Sequence, residues 1–202
     1  MLFRYPVVAC AAVGLLLSVG CTTTLAAEPT TEHLLCQKAA GTAMVSYLKA
    51  MLSARQACRR DATRGVLPAS VDCLAGPDES SGDERTDRRV RAARTELAQK
   101  LARKCVGLDL EVLGWPGFCD DLTGPPHTIL DHEVCMVTAM DDFIAAILDV
   151  QYPPLQTDLN RRERICQDDL ANKAAAMVTG ELDGRARCLV RQAKGLVEGG
   201  VN

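Results

Sequence analysis

The chain is predicted to be all-α, with about four helices forming disulfide-stapled antiparallel hairpins in a repeat-like order. Three observations carry this. Alanine and leucine dominate the apolar residues and aromatics are few, which favours helix over strand. Apolar residues recur at steps of three and four over long stretches. The cysteines repeat as well. Cys36-Gln37 opens a stretch that reaches Cys58, and Cys166-Gln167 opens one that reaches Cys188, with 22 positions in each span. Arg64-Gly65-Val66-Leu67 then lines up with Lys194-Gly195-Leu196-Val197, and Val71-Asp72 with Val201-Asn202. The expected organisation is one cysteine-rich helical unit over residues 28–157. A partial second copy of its first helix and loop follows over residues 158–202.

Residues 1–27 read as a secretory signal peptide. Arg4 supplies the positive start, Val7 to Val19 is a largely apolar run, and small and polar residues follow. The apolar part is short for a membrane span. Two exits compete. Leu17-Ser18-Val19-Gly20-Cys21 resembles a lipobox, in which Cys21 would be lipidated. Thr24-Leu25-Ala26-Ala27 resembles an ordinary cleavage site. Eight cysteines remain after Ala27, and oxidised pairs are the rule in an exported chain. The expected location is the periplasm or the extracellular space, or the outer membrane if Cys21 carries lipid.

The first helix is expected from about Glu32 to Ala62, with Thr30 or Thr31 as N-cap. Leu35, Ala39, Ala43, Tyr47, Met51 and Ala54 form its stripe. Gly65, Pro68 and residues 76–82 break the pattern. Ser81-Gly82-Asp83-Glu84 has capping-box spacing and starts a second helix that runs to about Lys104, with Val90, Ala93, Leu97 and Leu101 on one face. A loop rich in glycine and proline follows over residues 106–127. The third helix starts near Thr128 and Asp131, carries Leu130, Val134, Val137, Ile144 and Leu148, and ends before Pro153-Pro154. The fourth runs from about Asp158 to Val190. Gly180 and Gly184 weaken it, each by about 1 kcal/mol relative to alanine.

Length restricts the disulfides. On a straight helix Cys36 and Cys58 stand roughly 33 Å apart at 1.5 Å per residue, whereas a bridge needs Cα atoms within about 7 Å. An antiparallel hairpin instead places Cys36 beside Cys105, and Cys58 beside Cys73 in the loop. Cys119 with Cys135 would pin the glycine/proline-rich loop to the third helix. Cys166 and Cys188 are left unassigned. Either the repeat is cut short, or these two pair differently, or they pair between molecules.

The same residues carry a resemblance. Cys36-Gln37-Lys38-Ala39-Ala40, the run to Cys58, and Gly65-Val66-Leu67-Pro68 to Asp72-Cys73 resemble the repeat of cysteine-rich exported helical proteins of myxobacteria-like bacteria. Gly114-Trp115-Pro116-Gly117-Phe118-Cys119 and Val150-Gln151-Tyr152-Pro153 are similar to its later segments. The resemblance implies export and architecture, and it carries no catalytic residues.

Composition narrows the function classes. Without Arg4 the chain has 22 basic and 26 acidic residues, a balance that argues against a general nucleic-acid binder. Five aromatics after residue 27 are few for a base- or sugar-stacking surface. His127, Asp131, His132, Glu133 and Cys135 are the densest set of candidate metal ligands, with His127, Asp131 and His132 at its centre. The ordinary alternative is an acidic first helical turn with a structural cysteine behind it. HExxH and paired CxxC patterns are absent, as are a redox dithiol and a GxSxG elbow. Residues 85–104 carry eight basic side chains, while residues 105–160 hold ten carboxylates and no lysine or arginine. Mutual complementarity or a solvated face accounts for this. An anionic lipid surface read by Arg88 and Arg91 is the alternative. The expectation is a non-enzymatic structural or interaction protein of the bacterial envelope, without a cofactor. Its partners would be envelope proteins or copies of itself, and a lipid anchor its one link to the membrane. The alternative is a metal-binding protein.

Overall fold

A computed structural model describes residues 29–76, 78–110, 129–152 and 159–194. It contains four helices: α1 (Thr31–Thr63), α2 (Glu84–Cys105), α3 (Ile129–Gln151) and α4 (Arg161–Ala193). The described residues form no strand. The helices run up-down-up-down, and α1 is the central one, touching the other three.

Helix α1 starts where Thr30 accepts from the His33 backbone and the His33 ring accepts from the Thr30 backbone, a reciprocal cap. It stops at a Schellman turn. Gly65 adopts φ +70°, its N–H donates to Ala62, and the Val66 N–H donates to Asp61. The helix is amphipathic in an unusual way, because its buried residues spread over several faces. Tyr47, Leu48, Met51 and Leu52 are all essentially inaccessible. A helix buried on most sides belongs at the centre of a bundle.

Helix α2 is simpler. Val90, Ala93, Leu97 and Leu101 bury one stripe, as their spacing predicts. Its cap differs from the expected one. Asp83, not Ser81, is the N-cap and accepts from the Arg85 and Thr86 backbones. Ser81 sits two residues outside and donates both its N–H and its hydroxyl to Asp87. A carboxylate satisfies two first-turn donors at once and complements the helix dipole, so it outcompetes the serine.

Two disulfides staple this hairpin. Cys36–Cys105 has a Cα–Cα distance of 4.9 Å, and Cys58–Cys73 one of 5.6 Å. Both pairings are those expected from helix length. The second lies in a small satellite core with Ala62 and Val71, over which Leu67 packs. In the chain-entropy account the shorter closure contributes about 3 kcal/mol and the longer one about 4 to 5. Cys135, buried on α3, is oxidised as well. The expected Cys119–Cys135 bridge involves Cys119, which lies outside the described residues.

Helix α4 runs unbroken through Gly180 and Gly184 from Arg161 to Ala193, a few residues later at each end than expected. Cys166 and Cys188 are both free thiols on it.

Candidate interaction surfaces

Between α1 and α3 the structure buries a charge. Arg55 is 1 % exposed. One of its Nη atoms lies 3.5 Å from an Asp141 carboxylate oxygen and donates to the Ala75 carbonyl at 3.2 Å. The Tyr47 hydroxyl donates to the same Asp141 oxygen at 3.2 Å. Burial raises the Asp141 pKa above the ordinary carboxylate value, and Arg55 and Tyr47 oppose that shift. Burial also raises the Tyr47 phenol, reinforced by the neighbouring Asp141 charge. Gln56 extends the polar seam. Its amide donates to Gln151 on α3 at 2.9 Å and to the Ala171 carbonyl on α4 at 3.1 Å. These contacts fix the register of three helices, a use of buried polar groups that a fluid apolar core would not provide. Sequence patterning missed this cluster. The signals were an arginine inside the apolar stripe of α1 and an aspartate inside the most apolar helix, α3.

The candidate metal set is not brought together. His127 lies outside the described residues. Asp131 and His132 are successive on α3, so they leave the helix about 100° apart; His132 is buried and Asp131 half-buried. Among the described residues no group of three His, Cys, Asp or Glu side chains is placed to hold a metal ion.

The basic residues of α2 divide. Arg94 is half-buried and pairs with the exposed Asp78 in the α1–α2 loop, which raises its pKa. Lys100 pairs with Glu96 one turn away. Arg85, Arg88, Arg89, Arg91, Arg103 and Lys104 face solvent. The solvated-face reading therefore describes most of α2. The buried complementarity joins α3 to Arg55 of α1 through Asp141, and Arg94 of α2 adds to it, since its charge favours the ionised Asp141 and is itself favoured by Glu133 on α3.

Helix α4 presents the most distinctive surface. Its contact with α1 uses Ala171, Ala175, Val178, Leu182 and Ala186. These stand 130 positions after Gly41, Val45, Leu48, Leu52 and Gln56, on the facing side of α1. The pairing is antiparallel and like-to-like. A Cβ placed on Gly41 would lie 3.2 Å from that of Ala186, while Gln56 reaches Ala171. The opposite side of α4 is exposed among the described residues. Cys166, Leu170, Lys173, Met177, Glu181 and Gly184 are all exposed, Leu170 by 66 % and Met177 by 72 %. At the matching positions of α1, Cys36, Ala40 and Tyr47 are buried.

The two disulfides are compatible with an oxidising, exported location. No helix among the described residues is long and apolar enough to cross a membrane. Residues 1–27, with Cys21, lie outside the described residues. No family model, curated protein or solved structure matches this chain.

Proposed function

We propose that the protein is an exported, non-enzymatic structural or interaction module of the bacterial envelope, released by cleavage near Ala27 or anchored through lipid at Cys21. The observation that supports this is the exposed side of α4, where Leu170 and Met177 stand in solvent beside Lys173 and Glu181, on a helix packed against the α1–α2 hairpin that two disulfides staple. A free side with Leu170 and Met177 in solvent is what a docking surface looks like before its partner arrives. The core behind it supplies stiffness, with the Cys36–Cys105 bridge tying the two ends of the hairpin. The cysteine repeat and its resemblance to exported helical repeats point the same way.

The test is a thermal melt of exported, oxidised protein with chelator, with added zinc or calcium, and with reductant. The expected result is indifference to chelator and metal, and a large loss of stability on reduction. A metal-dependent gain in melting temperature that disappears in His132→Ala would overturn this reading in favour of a metal-binding protein.

A further inference from the structure

We infer that the free side of α4 is a homodimer interface: two copies of the chain pair antiparallel through it and are locked by two Cys166–Cys188 disulfides. This deepens the proposed function by naming the partner, and it rests on that reading only for the oxidising compartment.

The argument begins with the thiols. Cys166 and Cys188 are free, and roughly 33 Å of continuous helix separates them, far beyond disulfide reach. They cannot bridge each other within one chain. Cys36, Cys58, Cys73, Cys105 and Cys135 are already oxidised. Yet both thiols lie on one side of α4. At 100° per residue, Cys166, Leu170, Lys173, Met177, Glu181, Gly184 and Cys188 fall within a stripe about 80° wide, on the side away from α1. Cys166 is exposed and Cys188 half-buried.

That stripe is self-complementary about its centre, and this identifies a second copy as the occupant. Met177 lies midway between Cys166 and Cys188. If two copies of α4 run antiparallel with Met177 facing Met177, each Cys166 comes level with Cys188 of the other copy. In the same register Lys173 meets Glu181 of the other copy, a carboxylate that also pairs with Arg185 of its own helix, and Leu170 lies over Gly184, where the space above the glycine is open. Each contact occurs twice, as an isologous two-fold interface requires. A parallel pairing would set Lys173 against Lys173 and Glu181 against Glu181. Charge therefore selects the antiparallel register, as it does in paired helices generally. Helix axes 8–10 Å apart bring facing Cα atoms within disulfide range, and Cys36–Cys105 is an interhelical bridge of this kind in the same molecule.

Each bridge forms by two exchange steps with a disulfide oxidant. The Cys166 thiolate attacks one oxidant sulfur and releases one thiol. The Cys188 thiolate of the second copy then displaces the other. One protein S–S bond forms and the oxidant disulfide is reduced to two thiols, which carry away the two cysteine protons.

The experiment uses the exported full chain, oxidised with oxidised glutathione as an equal mixture of ¹⁴N- and ¹⁵N-labelled protein. Peptide mapping by mass spectrometry follows, with sedimentation for size. The expected product is a covalent dimer whose cross-linked peptides join Cys166 to Cys188 and carry mixed isotopes. Cys166→Ser alone should abolish covalent dimer, because Cys188 then faces a serine. Lys173→Glu should slow dimer formation by about tenfold or more, and adding Glu181→Lys should restore it. Cys166–Cys166 or Cys188–Cys188 linkages would overturn the register. A monomer with both thiols intact, or a dimer indifferent to Lys173→Glu, would overturn the interface. The same map reads Cys36–Cys105 and Cys58–Cys73. Their absence would count against the exported, stapled module instead.

Discussion

Helices α1 and α4 have the same length, 33 residues, and carry cysteines at the same two positions, yet they live in different environments. Helix α1 is enclosed by α2, α3 and α4, while α4 leans chiefly on α1. Tyr47 is 1 % exposed and its counterpart Met177 is 72 % exposed. A cysteine frame and a helical period thus specify a helix and its ends. How many sides it buries depends on how many neighbours reach it. The polar contacts reflect this. Helix α1 contains the buried Arg55 with Asp141 as its counter-charge. Helix α4 carries surface pairs such as Arg185–Glu181, which contribute little to stability.

The contrast can be tested pair by pair. The largest effect is expected from the staples. Cys36→Ser with Cys105→Ser should lower stability by about 4 kcal/mol, and Cys58→Ser with Cys73→Ser by about 3. Cys166→Ser with Cys188→Ser should leave the monomer within about 0.5 kcal/mol of the parent. Urea unfolding at low protein concentration measures all three. Next come the matched core positions. Tyr47→Ala should cost about 3 to 5 kcal/mol, since it opens a cavity and removes a hydrogen bond from Asp141. Met177→Ala should again change monomer stability by under about 0.5 kcal/mol. Equal costs at the two sites would mean that α4 is enclosed in solution as α1 is.

The smallest effect is one of pH and separates a carboxylate at the surface from one in the core. Hydrogen bonds from Ser81 hold the Asp87 pKa below its ordinary value. Its contribution is therefore present above the ordinary carboxylate pKa and fades as pH falls toward the lowered one. Burial raises Asp141, so its contribution has the opposite sign. It is present below the ordinary value and is lost as pH rises through the raised one. Denaturation of the parent and of Asp87→Asn from about pH 6 to about pH 3 should show a difference of about 0.5 kcal/mol that closes on the acid side. A difference that widens there would contradict the Ser81–Asp87 contacts.

Much of the architecture was legible in the chain. Four helices, the stripe of α2 and the pairings Cys36–Cys105 and Cys58–Cys73 follow from local physics: a 3.6-residue period, glycine and proline as punctuation, and the rise per residue that keeps Cys36 from Cys58. These depend on residues near one another in sequence or on chain length alone. The Ser81 cap was misread because serine and aspartate compete for the same donors, and the spacing pattern does not weigh a hydroxyl against a carboxylate.

The burial of Arg55, the raised pKa of Asp141 and the exposed side of α4 were not legible. Each depends on which helix lies beside which. Arg55 is paired only because α3 runs along α1 and brings a residue 86 positions later within 3.5 Å. Leu170 and Met177 carry the apolar period of a core stripe, but no described helix covers them. Periodicity encodes a face that favours burial. Whether another surface arrives to bury it is a property of packing, because the stabilisation comes from area removed from water and not from the pattern.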